Sequence, residues 1–260
     1  MTDRKYIDKA AESGGTKIHM MTTTPGRYLV RSALAGMYLS IVVFVYWELL
    51  NNLGGNPFGK VLASSFFGVG LAMIVLTNTE LFTSNNLYLA ISSFEGKTSW
   101  RQTLVLWAVC YFGNLAGVLL LAGVLLGSGL LGELPGDHAL YAGAAHKVHE
   151  AAFAIFWRGV LANWVVCLAV RLALRCQEEI AKVAVLILVV FMFLYFGGEH
   201  SIANMGTFAM SLMGNGSITV GEALYNLVFA TAGNIVGGVF LMALPFTYIN
   251  PPELPDVAKS

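Results

Sequence analysis

YFGGEHSIANMG, residues 195–206, interrupts an apolar run that begins near Val183 and resumes as far as Met213. The interruption holds two glycines, a carboxylate, an imidazole and an amide. Ionisable groups inside a long apolar segment carry a large desolvation penalty and persist where they serve a path or a site. Glu199 and His200 are therefore the first candidate functional residues of the chain. Gly197 and Gly198 let the backbone leave the helix, and Asn204 closes the break.

The setting of that break is a membrane protein. Of 260 residues, 57% are hydrophobic and 12% charged, against about 25% charged in a soluble domain. The apolar runs are continuous rather than alternating, which selects helices over a β-barrel. A net charge of zero lacks the electrostatic footprint of a nucleic-acid binder. Cys110, Cys167 and Cys176 lie in or beside apolar runs without CxxC spacing, so they read as packing residues. The polar segment 1–27 and the long first apolar run, with five more after it, do not fit a cleaved signal peptide.

A crossing takes about 20 apolar residues. Six candidate spans follow: 28–50, 60–78, 104–126, 151–171, 181–196 and 223–246. The second and fifth stop early and are followed by short apolar pieces, 87–94 and 202–213, so both read as broken helices. Residues 51–59 and 127–150 read as loops, the second long and polar, with His138 and His19 as ordinary loop residues. Arg4, Lys5, Lys9, Lys17, Arg27 and Arg31 precede or open the first span. Lys97, Arg101, Arg171, Arg175, Lys182 and Lys259 fall on the same side, and Lys60 and Lys147 on the other. This asymmetry puts both termini in the cytoplasm. The chain divides into an N-terminal segment 1–27, a six-span domain 28–247 and a tail 248–260.

The two halves repeat. Arg31-Ser-Ala-Leu-Ala-Gly36 matches Arg158-Gly-Val-Leu-Ala-Asn163. Glu80-Leu-Phe-Thr-Ser-Asn85 matches Glu199-His-Ser-Ile-Ala-Asn204, and Gly113-Asn-Leu-Ala-Gly117 matches Gly233-Asn-Ile-Val-Gly237. The offsets are 127, 119 and 120 residues, in order along the chain. Small residues at helix contacts could account for the glycines, but helix packing does not require a Glu five residues before an Asn. With three spans per copy, the second copy enters from the opposite side. The units, about 28–130 and 151–247, are then related by an axis in the membrane plane. Irregular backbone at membrane depth must line a cavity or be covered by protein, so the two breaks should meet near the midplane as a transport path.

ELFTSN (80–85), HKVH (146–149), GVLANWVVCLAV (159–170) and EHSIANM (199–205) together resemble the formate/nitrite transporter family over roughly residues 25–247. HSIANMGTFAMSLMGNG (200–216) and FWRGVLANW (156–164) look closer to its nitrite-channel branch. The resemblance implies a homopentamer of aquaporin-like protomers in a prokaryotic inner membrane. Each protomer has its own pore for small monovalent anions: formate, nitrite, sometimes hydrosulfide or lactate. It implies two apolar constrictions with a His between them facing a Thr on the first broken loop. By position, Phe67 and Leu71 form the cytoplasmic constriction, Phe193 the periplasmic one, and Thr83 faces His200. Asn163, Asn234, Glu199 and Lys147 match the supporting polar network. No cofactor is implied.

His200 has an ordinary pKa of about 6.5, so its charge can change across the physiological range. A bare anion in a low-dielectric slot pays several kcal/mol of desolvation. Either a charged His200 pairs with the anion, or His200 gives it a proton and a neutral acid crosses with its proton. Glu199 must then point away from the anion, towards Asn163 and Lys147. Glu80 is its equivalent, accepting amides of the Thr83 loop. Lys147, on the side otherwise poor in positive charge, either raises the local anion concentration at the outer mouth or is a solvated loop residue. Arg158 either snorkels to the interface or attracts anions. His146 and His149 have HxxH spacing but only Glu150 nearby, too few ligands for a metal. The polar stretch before Pro25 is a candidate gate. Two rival classes fit less well. A membrane enzyme lacks a nucleophile motif or metal set, and a neutral-solute channel of aquaporin type wants Asn-Pro-Ala loops where this chain has LFTSNN and HSIAN.

Overall fold

The computed structural model describes residues 3–252, and every regular element in that range is helical. Lys259 and the tail beyond residue 252 lie outside the described residues. The helices are α1 (Asp3–Thr23), α2 (Pro25–Asn52), α3 (Gly59–Leu76), α4 (Phe82–Phe94), α5 (Trp100–Gly127) and α6 (Ala139–His149). Then come α7 (Ala152–Arg175), α8 (Glu179–Tyr195), α9 (Ser201–Met213) and α10 (Val220–Gly238), which continues through a π-helical turn (Val239–Ala243) into α11 (Leu244–Ile249). Five of these are long and apolar enough to cross a membrane: α2, α3, α5, α7 and the run from α10 through α11. Large apolar side chains such as Leu104, Phe112, Leu120, Phe153 and Val228 point outward. Helices apolar on every face belong in lipid.

Backbones approach most closely where the repeat places glycines. A Cβ on Gly117 of α5 would overlap the Ala33 carbonyl of α2, and one on Gly237 of α10 would overlap the Val160 carbonyl of α7. Close small-residue contacts replace the hydrophobic effect as glue between helices in lipid. They fix α2 against α5 and α7 against α10, so that the two broken segments are held between rigid pairs.

Both breaks are built alike. After α3 the chain turns through Asn78 (φ 52°), and after α8 through Gly197 (φ 80°). These left-handed residues stand 119 apart. Two extended residues, Leu81 and His200, then start the half-helices α4 and α9 as their N-caps.

Two segments differ from the sequence reading. Residues 127–150 are not a polar loop throughout: α6 occupies Ala139–His149, burying Leu140, Tyr141, Ala144 and Val148 at helical spacing. His138 is its N-cap, accepting from Leu140 N–H at 3.2 Å through Nδ1, and is buried. The polar start of the chain is also a helix. α1 buries Tyr6, Ile7, Ala10, Ala11 and Ile18, a 3.6-residue stripe that averaged hydropathy hides. Ser92 Oγ of α4 donates to the Ala11 carbonyl at 2.9 Å. Arg4 donates to Glu95 at 3.2 Å and to the Asn250 carbonyl at 2.9 Å, so the two ends of the described chain meet on one face. The hydrogen-bonded Glu95 raises the Arg4 pKa further above its ordinary value.

Candidate functional site

Each break is held by the same set of bonds. In the first half, Lys17 Nζ lies 2.5 Å from Glu80 Oε2, which also accepts from Asn85 Nδ2 at 3.1 Å. Asn114 Nδ2 donates to the carbonyls of Ser32 (2.7 Å) and Glu80 (2.8 Å), while its Oδ1 accepts from Phe82 N–H at 2.9 Å. In the second half, Lys147 Nζ lies 2.8 Å from Glu199 Oε1, and Glu199 Oε2 accepts from Asn204 Nδ2 at 2.5 Å. Asn234 Nδ2 donates to the carbonyls of Gly159 (2.9 Å) and Glu199 (2.8 Å), and its Oδ1 accepts from Ser201 N–H at 2.8 Å. The glutamate N–H groups also correspond: Glu80 donates to Arg31 O at 3.2 Å and Glu199 to Arg158 O at 3.3 Å. The carboxylate and the asparagine five residues on thus close one turn of backbone, and a second asparagine on the facing helix satisfies the freed amide and carbonyl. Both carboxylates are buried and acceptable there because each has a lysine partner and amide donors.

The sequence places Lys17 among the charges of the first side but does not pair it with Glu80. Lys17 belongs to α1 as Lys147 belongs to α6, and Lys17-Ile-His19 matches Lys147-Val-His149 at an offset of 130. Asn226 on α10 was also missed. Its Nδ2 donates to the Lys147 carbonyl (2.9 Å) and Glu199 Oε2 (3.2 Å), and its Oδ1 accepts from Asn204 Nδ2 at 2.8 Å. The first half has Leu106 at the matching place, and Asn85 there donates to the Tyr28 hydroxyl instead, at 3.2 Å.

The breaks meet at a single polar pair. Thr83 Oγ1 lies 2.9 Å from His200 Nε2, both side chains buried. His200 Nδ1 accepts from Ala203 N–H at 3.2 Å as the cap of α9. A backbone N–H only donates, so Nδ1 carries no proton and the neutral ring presents Nε2–H to Thr83. Two cavities of about 200 Å³ each lie near the breaks, and His200 lines one of them. One, on the face where the chain ends meet, is lined by Lys17, Arg31, Glu80, Ser84, Asn85 and Tyr88. The other is lined by Tyr46, Trp47, Phe67, Lys147, Phe193 and His200. Between them a void of about 10 Å³ is walled by Leu39, Phe67, Leu71, Leu81, Val166, Val190, Phe193 and His200. Three pairs in that wall are repeat-related: Leu39 with Val166, Leu71 with Val190, and Leu81 with His200.

Several expected roles change. Phe67 does not stand on the opposite side of the void from Phe193: their rings meet edge to face with centroids 5.9 Å apart. The reason is the close packing of α3 on α8, where Gly68 sits against the Ile187 backbone. Leu71 lines the void but not the cavity beside Lys147. No hydrogen bond joins Asn163 to Glu199 among the described residues; its Nδ2 donates to Thr83 O (3.3 Å), Asn86 Oδ1 (3.1 Å) and Asn234 O (2.6 Å), tying α4 to α10. Glu80 takes its amide from the Asn85 side chain rather than from the Thr83 loop backbone. Arg158 pairs with Glu150 at 2.8 Å, whereas its repeat partner Arg31 donates to the Asn78 carbonyl and lies 3.5 Å from Glu80.

The formate/nitrite transporter family model matches residues 4–248. The chain belongs to the formate/nitrite transporter family. Within that family it is 34% identical to the uncharacterized transporter YwcJ of Bacillus subtilis, over 96% of this chain and all of that one. It is 32% identical to the nitrite transporter NirC of Escherichia coli, over 94% of this chain and 91% of that one. Among solved structures, an FNT family ion channel superposes with a TM-score of 0.91 at 29% identity, covering 95% of this chain and 99% of that one. A pentameric formate channel with formate bound superposes with a TM-score of 0.73 at 29% identity, covering 86% and 96%. The formate/nitrite transporter family consists of membrane transporters and channels, not enzymes, and this chain shares its all-helical membrane fold.

Proposed function

We propose that the protein passes small monovalent anions of weak acids, nitrite and formate foremost, through one pore per protomer of a homopentamer in the cytoplasmic membrane. The observation that carries this reading is the Thr83–His200 pair, 2.9 Å apart at the end of an apolar void that separates two cation-bearing cavities. The reading takes α8 with α9, and α3 with α4, as broken crossings. α8 has 17 residues, which at 1.5 Å per residue spans about 25 Å. That makes six crossings in two inverted repeats, 28–130 and 151–247, each extended by the amphipathic helix that supplies its lysine. Both chain ends and the Lys17 cavity then face the cytoplasm, and the Lys147 cavity faces outward. Phe67 and Phe193 narrow the outer side of the void, and Leu71 and Leu81 the inner side.

An anion entering the void leaves its water behind, at several kcal/mol for a charged species. Converting it to the neutral acid removes that penalty, and nitrous and formic acids form readily where chloride cannot follow. A second proton on His200 must sit on Nδ1, which now accepts from Ala203 N–H. Protonation therefore releases the α9 cap, linking proton exchange to the broken helix. Proteoliposome flux of nitrite, formate, hydrosulfide, chloride and glycerol tests the reading. Saturable nitrite or formate flux with little chloride or glycerol flux is expected. Chloride flux equal to nitrite flux refutes the weak-acid argument, and equal glycerol flux refutes the anion pore.

A further inference from the structure

The two cavities have about the same volume but different walls. The one beside Lys17 is lined mostly by hydroxyls, amides and charged groups. The one beside Lys147 contains a continuous run of aromatic rings. Trp47 meets Tyr46 edge to face at 5.1 Å, Tyr46 meets Phe67 at 5.9 Å, Phe67 meets Phe193 at 5.9 Å, and Phe193 stacks on His200 at 5.8 Å. Trp47 is fixed in place: its Nε1 donates to Thr207 Oγ1 at 3.0 Å, and Gly143 of α6 leaves room for its ring. At the rim, Lys147 and Arg158 are each bonded to a glutamate. Lys60, in the first turn of α3, is exposed and lies 5.2 Å over the Tyr195 ring, with no carboxylate within ion-pair distance among the described residues.

About 200 Å³ is far more than a three-atom anion fills, yet less than the roughly 300–1,000 Å³ of a drug-sized site. The walls favour a flat ring, which gains edge-to-face contacts, and the Lys60 ammonium, with no carboxylate partner among the described residues, favours one carboxylate. We infer that this cavity is a binding site for single-ring aromatic monocarboxylates, with the carboxylate at Lys60 and the ring against Tyr46, Trp47 and Phe67. The inference rests on the pore reading above. Beyond the cavity the Phe67–Phe193 contact and the void of about 10 Å³ do not admit a ring. An aromatic acid of this class therefore plugs the pore instead of crossing it, and does so only from the Lys60 side.

The probe is benzoate, with benzamide (ring without charge) and cyclohexanecarboxylate (charge without aromatic faces) as controls. Binding to the full-length protein in detergent is read from tryptophan fluorescence, which does not depend on transport. Block of nitrite and formate flux is read in proteoliposomes of defined protein orientation, with benzoate on one side at a time. Benzoate is expected to bind and to block from the Lys60 side, both controls more weakly. Lys60→Gln should weaken binding and block about tenfold, the loss of one charge-assisted contact, while leaving uninhibited flux in place. Trp47→Leu should weaken benzoate more than cyclohexanecarboxylate. Equal block from both faces, unchanged block in Lys60→Gln, or passage of labelled benzoate at the rate of nitrite overturns the inference. Benzoate binding without any nitrite or formate flux would overturn the pore reading alone, and flux with no benzoate binding would overturn this inference alone.

Discussion

Replacing His200 by Asn and by Ala separates its two roles. His200→Ala removes the cap from Ala203 N–H and the bond to Thr83, both at buried positions. Loss of an N-cap costs about 1 kcal/mol, and a buried polar group left without a partner costs about 1–3 kcal/mol. Loss of the ring stacked on Phe193 adds to this, so His200→Ala should lose roughly 2–5 kcal/mol of stability. Asn is among the best N-caps, so His200→Asn keeps the cap of α9 while its shorter side chain gives up the bond to Thr83, and it should lose less, about 1–3 kcal/mol. Neither residue can take up a proton as imidazole does. Thermal unfolding in detergent should therefore rank wild type above His200→Asn above His200→Ala. Nitrite flux followed from about pH 8 down to about pH 5 should lose, in both variants, the part of its pH dependence that runs through the imidazole. If His200→Asn keeps the wild-type flux and pH profile, the ring takes no part in proton exchange. If it is as unstable as His200→Ala, the capping argument fails.

The supporting frames make three further predictions. Asn226→Leu, which copies Leu106 of the other half, strands the Lys147 carbonyl and takes one donor from Glu199; it should cost about 1–3 kcal/mol and raise the KM for nitrite, read from thermal unfolding and flux. Lys147→Met leaves buried Glu199 without its cation, expected to cost about 3–5 kcal/mol, and Lys17→Met should cost less because Arg31 still lies 3.5 Å from Glu80; adding Glu199→Gln or Glu80→Gln, respectively, should recover much of the loss, and no recovery would show that the lysines act otherwise than through these pairs. Gly197→Ala places a side chain at φ 80° and should cost about 1–2 kcal/mol, whereas Asn78→Gly at φ 52° should be close to neutral; equal unfolding temperatures for the two would refute the strain assigned to a side chain at Gly197.

Much of this frame was legible in the sequence because buried polar groups leave a spacing behind. Glu80 to Asn85 and Glu199 to Asn204 are both one helical turn across a break, and no apolar packing rule produces that pattern. The same holds for Asn114 and Asn234, which sit among the glycines that bring the helices together. What stayed hidden was carried by amphipathic elements. α1 and α6 are too polar to stand out as spans, so the pairing of Lys17 with Glu80 went unseen although its Lys-x-His spacing repeats at Lys147. Asn226 lies in a long apolar helix with no repeat partner to draw attention to it. The places of Phe67 and Asn163 depend on which helix faces which, something that spacing along a single helix does not encode.

The repeat also shows where function departs from structure. The glutamates, the asparagines five residues on, the asparagines of the facing helices and the two lysines are duplicated, so they build the frame. The residues at the meeting of the breaks are not. His200 matches Leu81, and Thr83 matches Ile202. The symmetry that carries one half onto the other therefore turns the Thr83–His200 pair into an Ile–Leu pair. A fully symmetric ancestor-like frame would have either two polar pairs or none. Two would set a second ionisable ring in a space of about 10 Å³, where like charges repel and neither proton state is cheap to hold. None would leave the anion without a hydrogen-bond donor along the driest part of the path. On the proposed pore reading, one pair, offset towards the Lys147 cavity, supplies a donor where that cavity ends and leaves Leu71 and Leu81 to keep the other side of the void dry. Exchanging the pair, with Leu81→His, Thr83→Ile, His200→Leu and Ile202→Thr together, should preserve the Glu, Asn and Lys frame and restore nitrite flux that His200→Leu alone abolishes. Folded protein without restored flux would show that the aromatic walls of the outer cavity, and not the frame, fix the side on which the imidazole must stand.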